Sequence, residues 1–318
     1  MRRTLALWLT ALAAVTLAPR AALAAVPAPP RTPPLTYLAL GASISVGVQP
    51  LAHSAHVRRT DHGYANDLVR LLTSQGVRVR LVQLGCPGET VTSFVSGHDS
   101  CYRAHAYRRR RPTSGVERRA SQLASARSFL TAHRTGPVLV SLDLGFNDVA
   151  PCLRGTHVRA RCVTGALKRL SGLVTIVRAL RRADPAAHLI GLDHYDPYVA
   201  AYRHAAPFAT HSVRVFDRLN ARLDAIYRRA DVAVVPVPRA FGAGPHPRLR
   251  TLAARACALT FMCRLGEPPN IHPRNRGYWD IAHTIESTLD RLGLSGPVPY
   301  RSSTHRRGGT VRPTPRTT

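Results

Sequence analysis

The sequence predicts an α/β fold in which five parallel strands form a sheet covered by helices on both faces. Short apolar runs alternate with longer amphipathic segments through the body of the chain, a pattern typical of β-α units. The apolar runs are nearly continuous, so each strand is expected to be buried on both sides. A chain of 318 residues, 45% of them hydrophobic, is long enough for one domain with a sizeable core.

Local patterns place each element in chain order. Near-continuous or alternating apolar runs predict five strands, at 35–40, 77–84, 138–144, 188–192 and 232–237. Apolar residues at helical spacing predict five helices, at 64–74, 115–133, 164–182, 212–229 and 278–292. Stop signals support several helix ends, among them Gly76 after the first helix and Pro185 after the third.

Both ends of the chain differ in composition from this body. Arg2 and Arg3, the apolar run 5–17 and the Ala-Leu-Ala triplet at 22–24 predict a signal peptide over 1–24. An uncleaved N-terminal anchor is the alternative interpretation. A proline-rich linker is predicted over 25–34, the folded domain over 35–297 and a disordered basic tail over 298–318. We therefore expect a secreted protein with no transmembrane segment after cleavage.

Six cysteines fit an exported chain, because an even number behind a signal peptide indicates disulfides. None is in the C-x-x-C spacing of zinc or redox sites. They form three close groups, and short loops are the easiest to close. We therefore favour the pairs Cys86–Cys101, Cys152–Cys162 and Cys257–Cys263, although the sequence alone leaves other pairings open.

The net charge is +28, but its distribution argues against specific nucleic-acid recognition. Lys168 is the only lysine among 45 basic residues, and the arginines are scattered apart from a run at 108–111 and the basic tail. No RNA-binding motif, zinc finger or basic zipper accompanies them. The charge predicts only weak attraction to anionic envelope polymers or lipid headgroups.

Four segments that follow predicted strands or precede the last helix carry residues suited to chemistry. Ser43 follows the first strand, Gly85 the second and Asn147 the third, and His272 lies shortly before the last helix. The carboxyl ends of parallel strands meet at one edge of a sheet, where active sites of such folds lie. A hydroxyl, a backbone turn, a carboxamide and an imidazole are what acyl transfer needs as nucleophile, oxyanion donors and base.

These segments, in this order, resemble the four blocks of the SGNH (GDSL-type) hydrolase family. The stretches Gly-Tyr-Ala-Asn at 63–66 and Tyr-Asp-Pro at 195–197 are also similar to its secreted, three-disulfide bacterial branch, and the resemblance spans about 35–293. It implies a flavodoxin-like three-layer α/β/α fold and hydrolysis of small-molecule or lipid esters by a monomer. It implies no metal and no cofactor. Ser43 would be the nucleophile and His272 the base, with Ser43, Gly85 and Asn147 forming the oxyanion hole.

The chain departs from the family pattern at two positions. Ala42 precedes the serine where the family usually has an aspartate with a mainly structural role. Pro269 stands three residues before His272, where the family usually has the acid of the triad. Both departures leave the proposed nucleophile and base in place.

The missing acid raises the question of what orients His272. Asn270 and Glu267 lie nearby in sequence, and Asp280 with His283 reproduces the family spacing inside the last helix, where it is expected to be a decoy. We predict a Ser–His dyad with the imidazole oriented by a backbone carbonyl. Asn270 is expected mainly to cap the turn before the helix.

Other functions remain open at this stage. An acyltransferase or carbohydrate deacetylase of the cell envelope would use the same residues, and a non-catalytic envelope-binding protein would keep the fold alone. An α/β-hydrolase is disfavoured because the chain has no Gly-x-Ser-x-Gly, and a metallohydrolase because it has no His-Glu-x-x-His. Ser45 is the alternative nucleophile, but it lacks the glycine spacing that surrounds Ser43.

Overall fold

The computed structural model describes residues 33–54, 56–103 and 120–294. The predicted signal peptide, most of the predicted linker, the arginine run 108–111 and the predicted basic tail lie outside the described residues. No helix among the described residues is both long and apolar enough to cross a membrane.

The central sheet has five parallel strands, as the sequence predicts. The strands in the described part of the chain are β1 (Leu35–Gly41), β2 (Val48–Pro50), β3 (Val57–Arg59), β4 (Val79–Gln83), β5 (Val138–Asp143), β6 (Leu153–Arg154), β7 (His157–Val158), β8 (His188–Leu192), β9 (Ala233–Val235), β10 (Thr260–Phe261) and β11 (Asn270–Pro273). The sheet has the order β4-β1-β5-β8-β9. From β1 the chain passes to β4 on one side of the sheet and then to β5, β8 and β9 on the other side. This change of direction opens a crevice at the carboxyl ends of β1, β4 and β5.

Helices cover both faces of this sheet and complete the three-layer α/β/α fold. The described helices are α1 (Tyr64–Ser74), α2 (Val91–Ser96), α3 (Gln122–Ala132), α4 (Phe146–Val149), α5 (Ala160–Arg169), α6 (Gly172–Ala183), α7 (Ala206–Arg229), α8 (Leu249–Leu259) and α9 (Asn275–Arg291). Alternate residues of β1 belong to different cores: Tyr37 packs with α1 and α9, whereas Leu38 packs with α3, α6 and α7. This alternation explains why the strand is apolar throughout.

Several predicted boundaries are wrong, and the reasons are local. The single helix predicted over 164–182 is two helices, α5 and α6, separated at Leu170 and Ser171. A side chain at Gly172 would meet Val91 at 2.8 Å, so this glycine lets α6 begin against α2. The helix predicted from 212 begins at Ala206, with proline in its first turn, where a missing N–H costs nothing.

Two further corrections concern helix starts and a missed helix. The helix predicted over 115–133 begins at Gln122 within the described residues, where the Ser121 hydroxyl accepts the Ala124 N–H as an N-cap. Its predicted start, 115–119, lies outside the described residues. The sequence-based prediction did not include α8, which has only four buried residues, two leucines and two alanines, and therefore a weak apolar stripe.

Candidate active site

Ser43 lies in a tight turn directly after β1. Gly41, the last residue of β1, has a φ of +127°, and a side chain there would meet the Asp143 carbonyl oxygen at 2.2 Å. A 3-10 helix, Ile44–Val46, begins immediately after Ser43, which is partly exposed. Ser45 is fully buried and its hydroxyl donates to the Ala42 carbonyl oxygen at 2.7 Å. The structure therefore presents Ser43, and not Ser45, at the surface of the turn.

Gly85 packs directly against this turn. A side chain at this position would lie 1.9 Å from the Ser45 hydroxyl oxygen, so only glycine permits the approach. The next residue, Cys86, donates its backbone N–H to the Gly41 carbonyl at 2.9 Å, and Arg59 donates to the Gly85 carbonyl, also at 2.9 Å. The loop after β4 is thereby fixed beside Ser43, as the sequence predicts for the second block.

Asn147 lies on α4, the short helix after β5, and lines the same pocket as Ser43. Its side-chain nitrogen donates to the Glu89 carbonyl oxygen at 3.0 Å. An amide nitrogen carries two hydrogens, so this bond fixes the orientation and leaves a second N–H for the pocket. Within the described residues, the backbone N–H of Ser43 donates to no protein acceptor. These two groups are therefore suited to receive an oxyanion.

A buried polar cluster that the sequence reading missed supports this side of the pocket. The Glu89 carboxylate is fully buried and accepts from Ser93 at 2.5 Å, Ser100 at 3.0 Å and Gln122 at 2.9 Å. Gln122 also accepts the Gly41 N–H at 2.7 Å and donates to the Gly41 carbonyl at 3.0 Å. Burial raises the pKa of Glu89. The cluster connects the end of β1 to the loop that holds Asn147.

His272 lies on β11, and the group that orients it differs from the prediction. The His272 Nδ1–H donates to the side-chain oxygen of Asn270 at 2.7 Å, and the His272 backbone N–H donates to the same oxygen at 3.0 Å. The predicted backbone carbonyl is therefore wrong. A free amide could turn its donor toward the ring, but the His272 backbone N–H holds the Asn270 oxygen in place and prevents that rotation. Nδ1 then carries the proton, and Nε2 is left free to accept one.

The other acids near His272 in sequence are engaged elsewhere. Glu267 pairs with Arg264 at 2.7 Å and with His53 at 3.6 Å. Asp280 pairs with Arg276 at 2.8 Å, on α9. This pairing is consistent with the expectation that Asp280 and His283 match the family spacing without a catalytic role. His283 bonds Glu286 within the same helix.

Contacts from two other elements hold the strand of His272 over the pocket. Tyr195, shortly after β8, donates its hydroxyl to the Ile271 carbonyl at 2.7 Å. Gln49, on β2, donates to the Pro273 carbonyl at 3.2 Å. His272 is 9% exposed, and this burial lowers its pKa to about 4. The imidazole is therefore neutral, as a general base must be, from mildly acid pH upward.

One small pocket brings three of the four predicted residues together, and Gly85 is not among the residues that line it. Ser43, Asn147 and His272 line it with Phe146, Tyr195 and other mostly apolar side chains, and its volume is about 20 Å³. In the described part of the chain, no hydrogen bond joins the Ser43 hydroxyl to His272. Catalytic hydrogen bonds commonly tighten only when substrate is bound.

Asp143 and His194 form a buried pair at the floor of this pocket, which the sequence reading also missed. Their side chains are each 1% exposed, with His194 Nδ1 3.7 Å from an Asp143 oxygen. His194 Nε2 donates to the Leu144 carbonyl at 2.9 Å, and burial lowers the pKa of His194 to about 4. Burial raises the pKa of Asp143 to about 7, although the nearby backbone amides of Ala42 and Ser45 lower it. The Asp143 backbone carbonyl accepts the Ala42 N–H at 3.1 Å. Asp143 therefore supports the turn that presents Ser43.

The six cysteines are paired as the sequence favours. Disulfides join Cys86 to Cys101, Cys152 to Cys162 and Cys257 to Cys263. The first closes the loop that follows Gly85. The third links α8 to the loop that leads to His272, so two of the three lie next to site segments.

Comparison with known proteins agrees with this geometry. The model of the GDSL-like lipase/acylhydrolase family matches residues 39–279. Phospholipase A1 from Streptomyces albidoflavus is similar in structure, with 17% identity and a TM-score of 0.51, over 80% of this chain and 98% of that chain. An extracellular lipase from Streptomyces rimosus has 16% identity and a TM-score of 0.50, over 78% and 98%. At such identities the likeness shows the fold alone.

No curated protein matches the chain. The family model nevertheless spans about three quarters of the sequence and includes the segments that carry Ser43, Gly85, Asn147 and His272. The chain therefore belongs to the GDSL-like lipase/acylhydrolase family.

Proposed function

We propose that this protein is a secreted hydrolase of carboxylic esters that works through a covalent acyl group on Ser43. The observation that carries the proposal is the shared pocket, where a partly exposed serine, an oriented amide and a neutral imidazole meet. Disulfides formed by all six cysteines support export, since such bonds persist in oxidising compartments.

The reaction follows from the roles of these groups. The Ser43 oxygen attacks the ester carbonyl while its proton passes to Nε2 of His272. The Ser43 N–H, the Gly85 N–H and the Asn147 side chain stabilise the resulting oxyanion. His272 then protonates the leaving alcohol, and it later deprotonates the water that releases the acid. Removing one oxyanion donor costs about 3–4 kcal/mol in such sites.

Asn270 is the third residue of the proposed catalytic site, after Ser43 and His272. In Ser–His–Asp sites the acid holds the imidazole in the tautomer with hydrogen on Nδ1. Here the Asn270 oxygen accepts that hydrogen at 2.7 Å, and its own orientation is fixed by the His272 backbone N–H. The amide supplies orientation without charge. A non-catalytic envelope-binding protein would have no need for this arrangement of tautomer and oxyanion donors.

Turnover of p-nitrophenyl esters of graded chain length tests the proposal. Ser43→Ala should lower kcat by several orders of magnitude, by analogy with removal of other serine nucleophiles. A fluorophosphonate probe should label Ser43 and no other serine. Ser45→Ala is the matched control and should retain most of the turnover, because Ser45 only bonds the Ala42 carbonyl. Labelling at Ser45, or full activity of Ser43→Ala, would contradict the mechanism.

A further inference from the structure

Two loops beside the catalytic pocket end in exposed apolar side chains. The β2–β3 hairpin carries Leu51, which is 38% exposed, and Val57, which is 43% exposed. The loop between β10 and β11 carries Leu265, which is 97% exposed. A single exposed leucine is ordinary on a soluble protein, but several on adjacent loops mark an interaction surface.

An ion-pair cluster joins the two loops. Glu267 lies between them, 3.6 Å from His53 of the hairpin and 2.7 Å from Arg264 of its own loop. The Glu267 side chain is only 5% exposed, whereas Arg264 is 31% and His53 86% exposed. The apolar side chains of the two loops therefore belong to one surface. We define the loop-tip surface as Leu51, Val57, Arg58, Arg264 and Leu265.

This surface adjoins the catalytic pocket. β2 follows the turn of Ser43 directly, and β11 carries His272. Gln49 of β2 connects the two, because it donates to the Pro273 carbonyl at 3.2 Å and to the Asn275 side chain at 2.8 Å. The loop-tip surface is therefore connected through short segments to the residues that carry Ser43 and His272.

The charge of the surface is positive. The hairpin segment 48–60 and the loop 262–269 contain three arginines and one acidic residue, Glu267, which pairs with Arg264. Arg58 is exposed. A groove of about 1000 Å³ next to Leu265 is lined by further cations, Arg203 and Arg250, and by no acidic residue. Apolar tips surrounded by arginines are complementary to a layer with anionic headgroups over hydrocarbon.

We propose that the loop-tip surface docks this protein on an anionic lipid surface, with Leu265 inserted among the acyl chains. Interfacial binding grows with the apolar area inserted and with attraction to anionic lipids. An anionic polymer would need the arginines alone and would give the exposed Leu265 no role, which favours lipid. The docking does not depend on the proposed ester hydrolysis.

Vesicle co-sedimentation of the full chain tests this proposal. Binding is measured in the Ser43→Ala background, so that lipid turnover does not affect it. Vesicles of phosphatidylcholine with phosphatidylglycerol should bind the protein at least tenfold more tightly than vesicles of phosphatidylcholine alone. Leu265→Asp should weaken binding to the anionic vesicles at least tenfold.

Leu292→Asp is the matched control. Leu292 is 46% exposed and lines a pocket with His188, the first residue of β8. This pocket lies at the amino ends of the strands, opposite the catalytic pocket. Its substitution should leave vesicle binding unchanged. In an otherwise native chain, Leu265→Asp should also retain turnover of a soluble acetate ester, which shows that it folds. Equal binding by Leu265→Asp and the parent would mean that charge alone retains the protein, as on a polymer, and would overturn the proposal. Failure to bind anionic vesicles would overturn it as well.

Discussion

Replacement of Asn270 by alanine or aspartate separates orientation of the imidazole from its charge. In the structure one side-chain oxygen of Asn270 accepts two hydrogens from His272, at 2.7 Å and 3.0 Å. Asn270→Ala removes both bonds. Asn270→Asp keeps both oxygen contacts and adds a negative charge, so that a carboxylate two residues before His272 replaces the acid that the family usually has three residues before it.

The magnitudes follow from these contacts. A hydrogen bond of this kind contributes about 1–1.5 kcal/mol, so Asn270→Ala should lower kcat by about tenfold, through ring orientation. The pKa of His272 is about 4 because burial disfavours the charged imidazole. A carboxylate in contact favours the charged form, by about 1–3 pH units. The acid limb of kcat/KM in Asn270→Asp should therefore move upward by at least one pH unit, with turnover at neutral pH retained.

The assay is the pH profile of kcat/KM for a soluble acetate ester, from acid to neutral pH. Glu267→Gln is the control, because Glu267 pairs with Arg264 and His53 rather than with His272, and it should change turnover less than tenfold. An Asn270→Ala enzyme with the turnover of the parent, together with an unmoved limb in Asn270→Asp, would refute the role of Asn270. Loss of activity in Glu267→Gln equal to that in His272→Ala would assign the third position to Glu267.

Three further predictions concern the support of the site. Three donors converge on the Glu89 carboxylate, and Glu89→Gln would place a further donor against them. In urea unfolding it should lower the free energy of unfolding by about 2 kcal/mol. In kinetic assays it should reduce kcat, because Asn147 is displaced. The pKa of Asp143 is about 7 in the folded chain, compared with an ordinary value of 3.8. Between these two pH values the folded state holds a proton that the unfolded state has released, so the free energy of unfolding falls as the pH rises. Asp143→Asn should therefore gain stability relative to the parent between pH 4 and pH 7, by up to about 4 kcal/mol, and the same substitution at the exposed Asp231 is the control. Removal of the Cys152–Cys162 bridge by double serine substitution should cost about 2–3 kcal/mol, and peptide mapping without reductant should show the three pairs intact in the parent.

The fold could be predicted because its signals are local and repeated. β1, β5 and β8 are apolar on both faces, and α1 has its buried residues at helical spacing, so pattern alone located them. The boundaries failed where tertiary packing decides. The division between α5 and α6 depends on contact of Gly172 with Val91, a residue far away in sequence.

The residues of the candidate site likewise fall into two groups, those that the sequence could predict and those that depend on tertiary contacts. Ser43, Asn147 and His272 could be found because each follows a strand or precedes a helix in a recognisable block. Gln122 and Asp143 could not, since their roles depend on bonds to Gly41 and on burial beside His194, and no spacing in the sequence encodes these contacts. Asn270 accepts the backbone N–H of His272, in agreement with the predicted capping of this turn, but its bond to the imidazole was not favoured by the prediction. The backbone N–H of His272 fixes the orientation of the Asn270 amide, and the direction in which this N–H points cannot be predicted from the composition of the sequence.

The two departures from the family pattern have a common structural answer. Where the family usually has aspartate before the serine, the chain has Ala42, whose backbone N–H donates to the backbone carbonyl of Asp143 at 3.1 Å. Where the family usually has the acid of the triad, the Asn270 oxygen receives the imidazole hydrogen. At both positions a negative charge next to the reacting groups is lost, and at the second the hydrogen bond to the imidazole is retained. The consequence is chemical: without a carboxylate in contact, burial keeps the pKa of His272 near 4, and the base stays unprotonated at acid pH values where a carboxylate-paired histidine would already be charged.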